Sequence, residues 1–264
     1  MPITVVGLGP AGLDRTDAGT VEILLSADHV IARTSAHPAL EQLAARVEVV
    51  ACDDLYESHD DFDTVYAAIV GRVLDAERRG SVVYAVPGSP LVGERTVPLL
   101  LAAADDLGVP VVVRPATSFL DLAFAACGVD PITDGVQVLD ARDLPDPLPL
   151  HVPTLITQVD SGLRAGDVAV ALGRLLDERA TVVVLDRLGD PDERVHTMPI
   201  AELARCDVGI RTSVFVPAAE VGLLGLVATN RTLRRARTRS SGCRRHSGPI
   251  RRWVDRRRHL LRAD

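Results

Sequence analysis

Apolar, β-branched runs alternate with amphipathic stretches through the first 114 residues. The runs at 3–9, 29–33, 47–52, 81–86 and 109–114 have the length and Val/Ile content of buried strands. Between them, 17–27, 38–46, 61–79 and 96–107 read as helices. In the longest of these, Thr64, Tyr66, Ala67, Val70, Val73 and Leu74 recur at helical spacing with charges between them. Five strand–helix alternations predict a parallel sheet with helices on both faces.

The pattern changes at Pro115. A helix is predicted over 118–127, capped by Thr117 or Ser118 and stopped by Gly128. The Pro- and Asp-rich stretch 140–150 reads as a loop or linker. A strand at 154–159, a helix at 165–177 and a strand at 181–186 follow. Then come a turn at Gly189-Asp190-Pro191, an extended run at 194–199, a short helix and a strand at 212–216. The hairpin-like spacing around Gly189 predicts a mixed sheet. The expected architecture is α/β with two lobes around a cleft: 1–114 mostly parallel, 115–225 mixed, and an Arg-rich tail at 226–264. No internal repeat is evident.

Composition refines this picture. With 47% apolar and 3% aromatic residues, Ala, Val and Leu must fill the core. No run of apolar residues is long enough to cross a membrane, and the chain enters a strand at once without the charged start of a signal peptide. Cys52, Cys127, Cys206 and Cys243 are isolated in sequence, which fits a reducing cytoplasm and predicts no metal site. The net charge of −7 is unevenly spread. From Arg231 onward there are 13 Arg against Asp255 and Asp264, so a tail of +11 follows a body of −18. Such a body does not attract nucleic acid; only the tail would.

Candidate chemistry begins at the end of the first strand. Gly7-Leu8-Gly9-Pro10-Ala11-Gly12 fits G-x-G-x-x-G. A dinucleotide site also needs a helix starting at once, to offer its amides to a pyrophosphate, and an acidic residue about 20 positions on. Pro10 and Asp14-Arg15-Thr16-Asp17 delay the helix, and the second strand ends in Arg33-Thr34. Arg33 keeps an NADP reading open, and a plain glycine turn is the other alternative. Otherwise the loop offers open backbone to a ligand without phosphates.

Two further strand-end loops join it. The fourth strand runs into Pro87-Gly88-Ser89-Pro90-Leu91-Val92-Gly93, and the fifth into Pro115-Ala116-Thr117-Ser118. Ligands of open α/β sheets bind at such carboxyl ends. With Thr4–Gly9, Arg33-Thr34, His37-Pro38, Asp54–Glu57, Val83–Pro90, Ser118–Asp121, Asp130-Pro131 and Thr212–Pro217, the chain resembles the tetrapyrrole (corrin/porphyrin) methylase superfamily, in order from about residue 3 to 217. More narrowly it resembles the methylase-like domain in front of MazG-type nucleotide pyrophosphohydrolases.

The resemblance implies S-adenosylmethionine folded into an interlobe cleft, usually in a homodimer. Carried over by motif, the cofactor-binding residues are Gly7, Gly9 and Pro10; Pro87, Gly88, Ser89 and Val92; Thr117 and Ser118; and Gln158 and Thr212. The expected function is methyl transfer to an unidentified small molecule. The alternative is a non-catalytic, regulatory methylase-like domain attached to a pyrophosphohydrolase. Many tetrapyrrole methylases have Gly-Gly-Asp-Pro where this chain has Pro87-Gly88-Ser89-Pro90, which argues against a tetrapyrrole substrate.

No catalytic base is fixed by sequence. Candidates are Tyr56 and His59, in a stretch that also reads as a solvated turn with Asp60 or Asp61 capping the next helix, together with Asp121 and His37. The Arg-rich tail reads as a disordered or frame-shifted segment rather than a nucleic-acid arm. It has none of the clustered acidic residues of a magnesium-dependent pyrophosphohydrolase.

Overall fold

A computed structural model describes residues 2–59 and 61–218. The first sheet is all parallel, built from β1 (Ile3–Gly7), β2 (His29–Ala32), β3 (Val49–Ala51), β4 (Val82–Val86) and β5 (Val111–Arg114) in the order β3-β2-β4-β1-β5. The register pairs Val5 with both Tyr84 and Val113. Every residue of β4 is buried, as a central strand covered on both faces requires.

Helices α4 (Phe62–Glu77) and α5 (Thr96–Asp106) cover one face. They pack Val65, Ile69, Val73 and Leu100 against Ile3, Val5, Val82 and Tyr84. Helices α1 (Ala18–Ser26) and α2 (Pro38–Leu43) cover the other, with Leu24, Leu40 and Leu43 against Val6, Leu8, Val30, Val83 and Ala85. The alternate residues of each strand thus feed two separate cores.

The second sheet joins β6 (Gln137–Asp140), β7 (Thr154–Thr157), β8 (Thr181–Asp186), β9 (Arg194–Pro199) and β10 (Thr212–Val216) in the order β6-β7-β10-β8-β9. Only β6 and β7 pair in parallel; the other pairs are antiparallel, so the sheet is mixed. Helix α6 (Phe119–Cys127) covers one face, over Leu155, Leu185 and Phe215. Helices α8 (Gly162–Gly173) and α9 (Ile200–Leu203) cover the other.

Three elements differ from the sequence reading. Residues read as a turn before α4 include α3 (Asp53–Ser58), and α7 (Pro131–Asp134) and β6 are additional. All three are short, with four to six residues, so periodicity has too few turns to register. The stretch 140–150 is no linker: Leu148 and Leu150 are buried in the second core. Helix α8 begins earlier than expected because Ser161 caps it by accepting from the Arg164 amide. The tail at 226–264, with Cys243, and Asp60 lie outside the described residues. So does the end of the lobe expected at 115–225.

No described helix is long and apolar enough to cross a membrane. No group of three or more metal-ligating side chains occurs among the described residues.

Candidate functional site

The loops after β1 and β4 are joined as a two-residue antiparallel bridge. Gly9 donates its amide to the Gly88 carbonyl (3.1 Å) and Gly88 donates to the Gly9 carbonyl (2.9 Å). The loop after β5 closes on the same place. A Cβ at Gly7 would lie 2.4 Å from the Gly88 carbonyl oxygen, 2.6 Å from Cβ of Ala116 and 2.8 Å from Cδ of Pro90. Gly7 is therefore the point where all three loops pack, and only glycine fits.

Gly9 and Gly88 both adopt left-handed backbone, at φ +79° and +64°. Their surroundings differ. A Cβ at Gly9 would strike the Arg15 carbonyl at 2.7 Å, whereas no atom of the described residues stands within 4 Å of one at Gly88. Gly88 thus presents bare backbone to open space. Beside it, Pro87 and Val92 are half-buried and Ser89 is buried, while Pro10 is half-buried on the first loop.

After Gly12 the chain makes a short 3-10 turn at Leu13–Arg15. α1 begins only at Ala18, capped by Asp17. Its amides stand too far along the chain to cradle a pyrophosphate at the glycines. Arg33, the residue that kept an NADP reading open, is committed elsewhere. Its guanidinium donates to Glu94 Oε2 (2.5 Å) and to the Tyr56 hydroxyl (3.0 Å), and lies over the Tyr66 ring. Glu94, buried with 3% side-chain exposure, accepts in turn from the amide and hydroxyl of Thr96, whose hydroxyl meets that of Tyr84 at 2.7 Å. Burial disfavours the Arg33 charge, but Glu94 and Tyr56 more than offset this and raise its pKa. The network ties the β4 loop to the end of β2.

Each candidate base has a structural engagement. Tyr56, on α3, belongs to the Arg33 network. His59 sits at the end of α3, with Nδ1 at 3.0 Å from both the Leu55 carbonyl and the Ser58 hydroxyl. Asp121 completes a capping box with Ser118. It accepts from the Ser118 amide (2.8 Å), and Ser118 Oγ accepts from the Leu120 amide (3.1 Å). Thr117 stays exposed and Ser118 is the cap. Asp61 likewise caps α4, accepting from the amide and hydroxyl of Thr64.

His37 is buried at the start of α2. Its Nδ1 accepts from the Ala39 amide (3.3 Å), which leaves Nε2 to donate to the Gly9 carbonyl (3.1 Å). That tautomer is neutral, and burial first of all lowers the imidazole pKa.

The second lobe contributes the ends of β7, β8 and β10. Gln158 is in left-handed backbone at φ +58° and donates through Nε2 to Asp140. Thr212, 1% exposed, donates to Asp186 Oδ1 (3.0 Å) and accepts from the Gly209 amide (2.8 Å). The Val159 amide donates to the Thr212 carbonyl, so Gln158 and Thr212 are near neighbours. Arg187, directly after β8, is also left-handed at φ +49°.

The β8–β9 turn then reaches the first lobe: a Cβ at Gly189 would be 2.9 Å from Leu122 Cδ1 and 3.2 Å from Arg15 Nε. Asp190 next to it pairs with Arg211 at 2.5 Å. Sequence reasoning missed Glu94 and Asp190 as site residues. Asp190 stood in a recognised turn, and nothing local marks either carboxylate as buried.

A model of the family described as Tetrapyrrole (Corrin/Porphyrin) Methylases matches residues 2–204. The chain belongs to this family. It is 39% identical over 219 residues to an uncharacterized protein, YabN, of Bacillus subtilis strain 168. The match covers 81% of this chain and 44% of that protein, so the chain spans less than half its relative's length.

Among solved structures, uroporphyrin-III C-methyltransferase from Thermus thermophilus superposes with a TM-score of 0.64 at 19% identity, covering 83% of this chain and 95% of that one. Its complex with S-adenosylhomocysteine gives 0.63 at 21%, covering 82% and 97%. Diphthine synthase gives 0.60 at 17%, covering 82% and 90%. At these identities the likeness is one of fold: the two-lobed α/β architecture of tetrapyrrole methylases is present here.

Proposed function

We propose that this chain binds S-adenosylmethionine where its strand-end loops meet and transfers the methyl group to a small molecule. Family membership and the S-adenosylhomocysteine complex of the Thermus enzyme support the donor. The observation that carries the reading is Gly88, with bare backbone facing a space that any side chain would enter. The late start of α1 and the engagement of Arg33 favour a ligand without phosphates.

Gly7, Gly9 and Pro10, then Pro87, Gly88, Ser89 and Val92, then Thr117 and Ser118 would hold the donor from the first lobe. Gln158 and Thr212 would close over it from the second, their contribution being largely backbone because both side chains are engaged within the protein. When bound, the donor supplies a methyl carbon already activated by the sulfonium. The protein's task is then mainly to position the acceptor, which in favourable cases supplies about 7–11 kcal/mol of barrier reduction. Tyr56, His59 and Asp121 are the side chains offered for proton transfer, should the acceptor need it.

Ser89 in place of the family's usual aspartate favours an acceptor other than a tetrapyrrole. The length of the Bacillus relative favours a second, finer reading. In it the chain corresponds to the methylase-like part of a MazG-type pyrophosphohydrolase fusion, a cytoplasmic homodimer whose methylase-like domain regulates its neighbour. Calorimetric titration with S-adenosylmethionine, S-adenosylhomocysteine and NADPH tests the choice. Micromolar binding of the first two with silence from NADPH is expected; silence from all three favours the regulatory reading.

A further inference from the structure

Several acidic groups around the loops are engaged within the protein. Glu94 serves Arg33 and Thr96, Asp53 serves Thr34 and Ser35, and Asp121 caps α6. Asp190 is different. Its side chain is 9% exposed, Oδ2 is held by Arg211 at 2.5 Å, and Oδ1 is buried with no hydrogen-bond partner among the described residues. A carboxylate oxygen that is buried and meets no donor among the described residues is costly, which singles Asp190 out from the other acids.

The place is specific. Asp190 sits in the β8–β9 turn, whose backbone is set by Asp190 donating to the Arg187 carbonyl (3.0 Å) and Glu193 donating back to Asp190 (3.1 Å). The adjacent Gly189 packs against Arg15 of the first loop and Leu122 of α6. His37 donates to the Gly9 carbonyl, which also accepts from Gly88. Asp190 therefore sits on the second lobe, in the turn that packs against Arg15 of the first loop.

We propose that Oδ1 of Asp190 receives an N–H of the bound methyl donor, and so closes the second lobe over a ligand laid on Gly88. This rests on the donor reading above. An anionic oxygen, buried and aligned by Arg211, suits the two N–H groups such a donor carries: its α-ammonium and its adenine amine.

Asp190→Asn tests it. The amide oxygen stays on Arg211, while an NH2 replaces the spare oxygen and opposes a donor. Affinities are measured by calorimetry for S-adenosylhomocysteine, its desamino analogue and S-inosylhomocysteine, which lack the α-amine and the adenine amine respectively. All are measured on one preparation, so that incomplete folding lowers all three alike.

The variant is expected to lose about tenfold or more for S-adenosylhomocysteine while changing less than twofold for one analogue. That analogue names the N–H involved, the desamino compound pointing to the ammonium and the inosyl compound to the adenine. Equal loss for all three ligands, or loss for none, overturns the proposal and leaves donor binding standing. A wild-type chain silent towards S-adenosylhomocysteine overturns the donor reading, and this proposal with it.

Discussion

Gly9 and Gly88 exchange two backbone hydrogen bonds, 3.1 and 2.9 Å long, and so weld two loops 79 positions apart into one surface. Gly7 lies beneath that surface and Gly88 at its open side. The two glycines should respond oppositely to a methyl group. Gly7→Ala would drive Cβ into the Gly88 carbonyl and Ala116, and is expected to cost about 1–3 kcal/mol or more in urea unfolding. Gly88→Ala meets no atom of the described residues and pays for left-handed backbone, about 1–2 kcal/mol. It should keep its fold yet lose S-adenosylhomocysteine affinity at least tenfold. Undiminished affinity would remove the β4 loop from the site.

The Arg33–Glu94 pair braces that loop from its far end. Glu94→Gln leaves a largely buried guanidinium without its counter-charge and is expected to destabilise by about 3–5 kcal/mol, read from the denaturant midpoint. Replacing both residues, as Arg33→Met with Glu94→Leu, should recover much of the loss. A single variant as stable as wild type would show that solvent screens the pair.

His37 sets a pH dependence. Burial, only partly opposed by its bond to the Gly9 carbonyl, holds its pKa below the ordinary imidazole value of about 6.5. The unfolded chain therefore takes up the proton first as pH falls. The stability from neutral His37 is complete above about pH 6.5 and is lost progressively below it. His37→Asn keeps a side chain able to cap α2 and removes the proton, so it should flatten the slope below about pH 6.5. Identical slopes in both proteins would assign the acid loss to other groups.

Asp121 stands close to the site but is engaged as a cap. Asp121→Ala is expected to cost about 0.5–2 kcal/mol in thermal or urea unfolding while leaving donor affinity within twofold. A methyl-transfer rate that collapses with stability intact would instead make it catalytic.

The first lobe was largely legible in the sequence. Five apolar runs with amphipathic helices between them leave few alternatives to a parallel, doubly covered sheet, and observed strand ends moved inward by one or two residues at most sites. The caps at Asp17, Asp61, Ser118 and Ser161 follow from short polar side chains beside apolar runs, although Asp17 and Ser161 went unread. Of the shortest elements, α3, α7 and β6 escaped, lying in stretches without an apolar run to mark them.

The site divides in the same way. Sequence alone determined that three glycine- or hydroxyl-bearing loops follow apolar strands of one sheet, because strand pattern and loop chemistry are local properties. That those strands are neighbours, in the order β4-β1-β5, was decided by the tertiary structure. Only the tertiary structure decided that the loops converge on Gly7, that Gly88 faces open space while Gly9 does not, and that Arg33 is spent on Glu94. It alone left one oxygen of Asp190 without a partner among the described residues. Burial, pairing and the emptiness of a space are set by residues distant in the chain, and no pattern read along the chain encodes them.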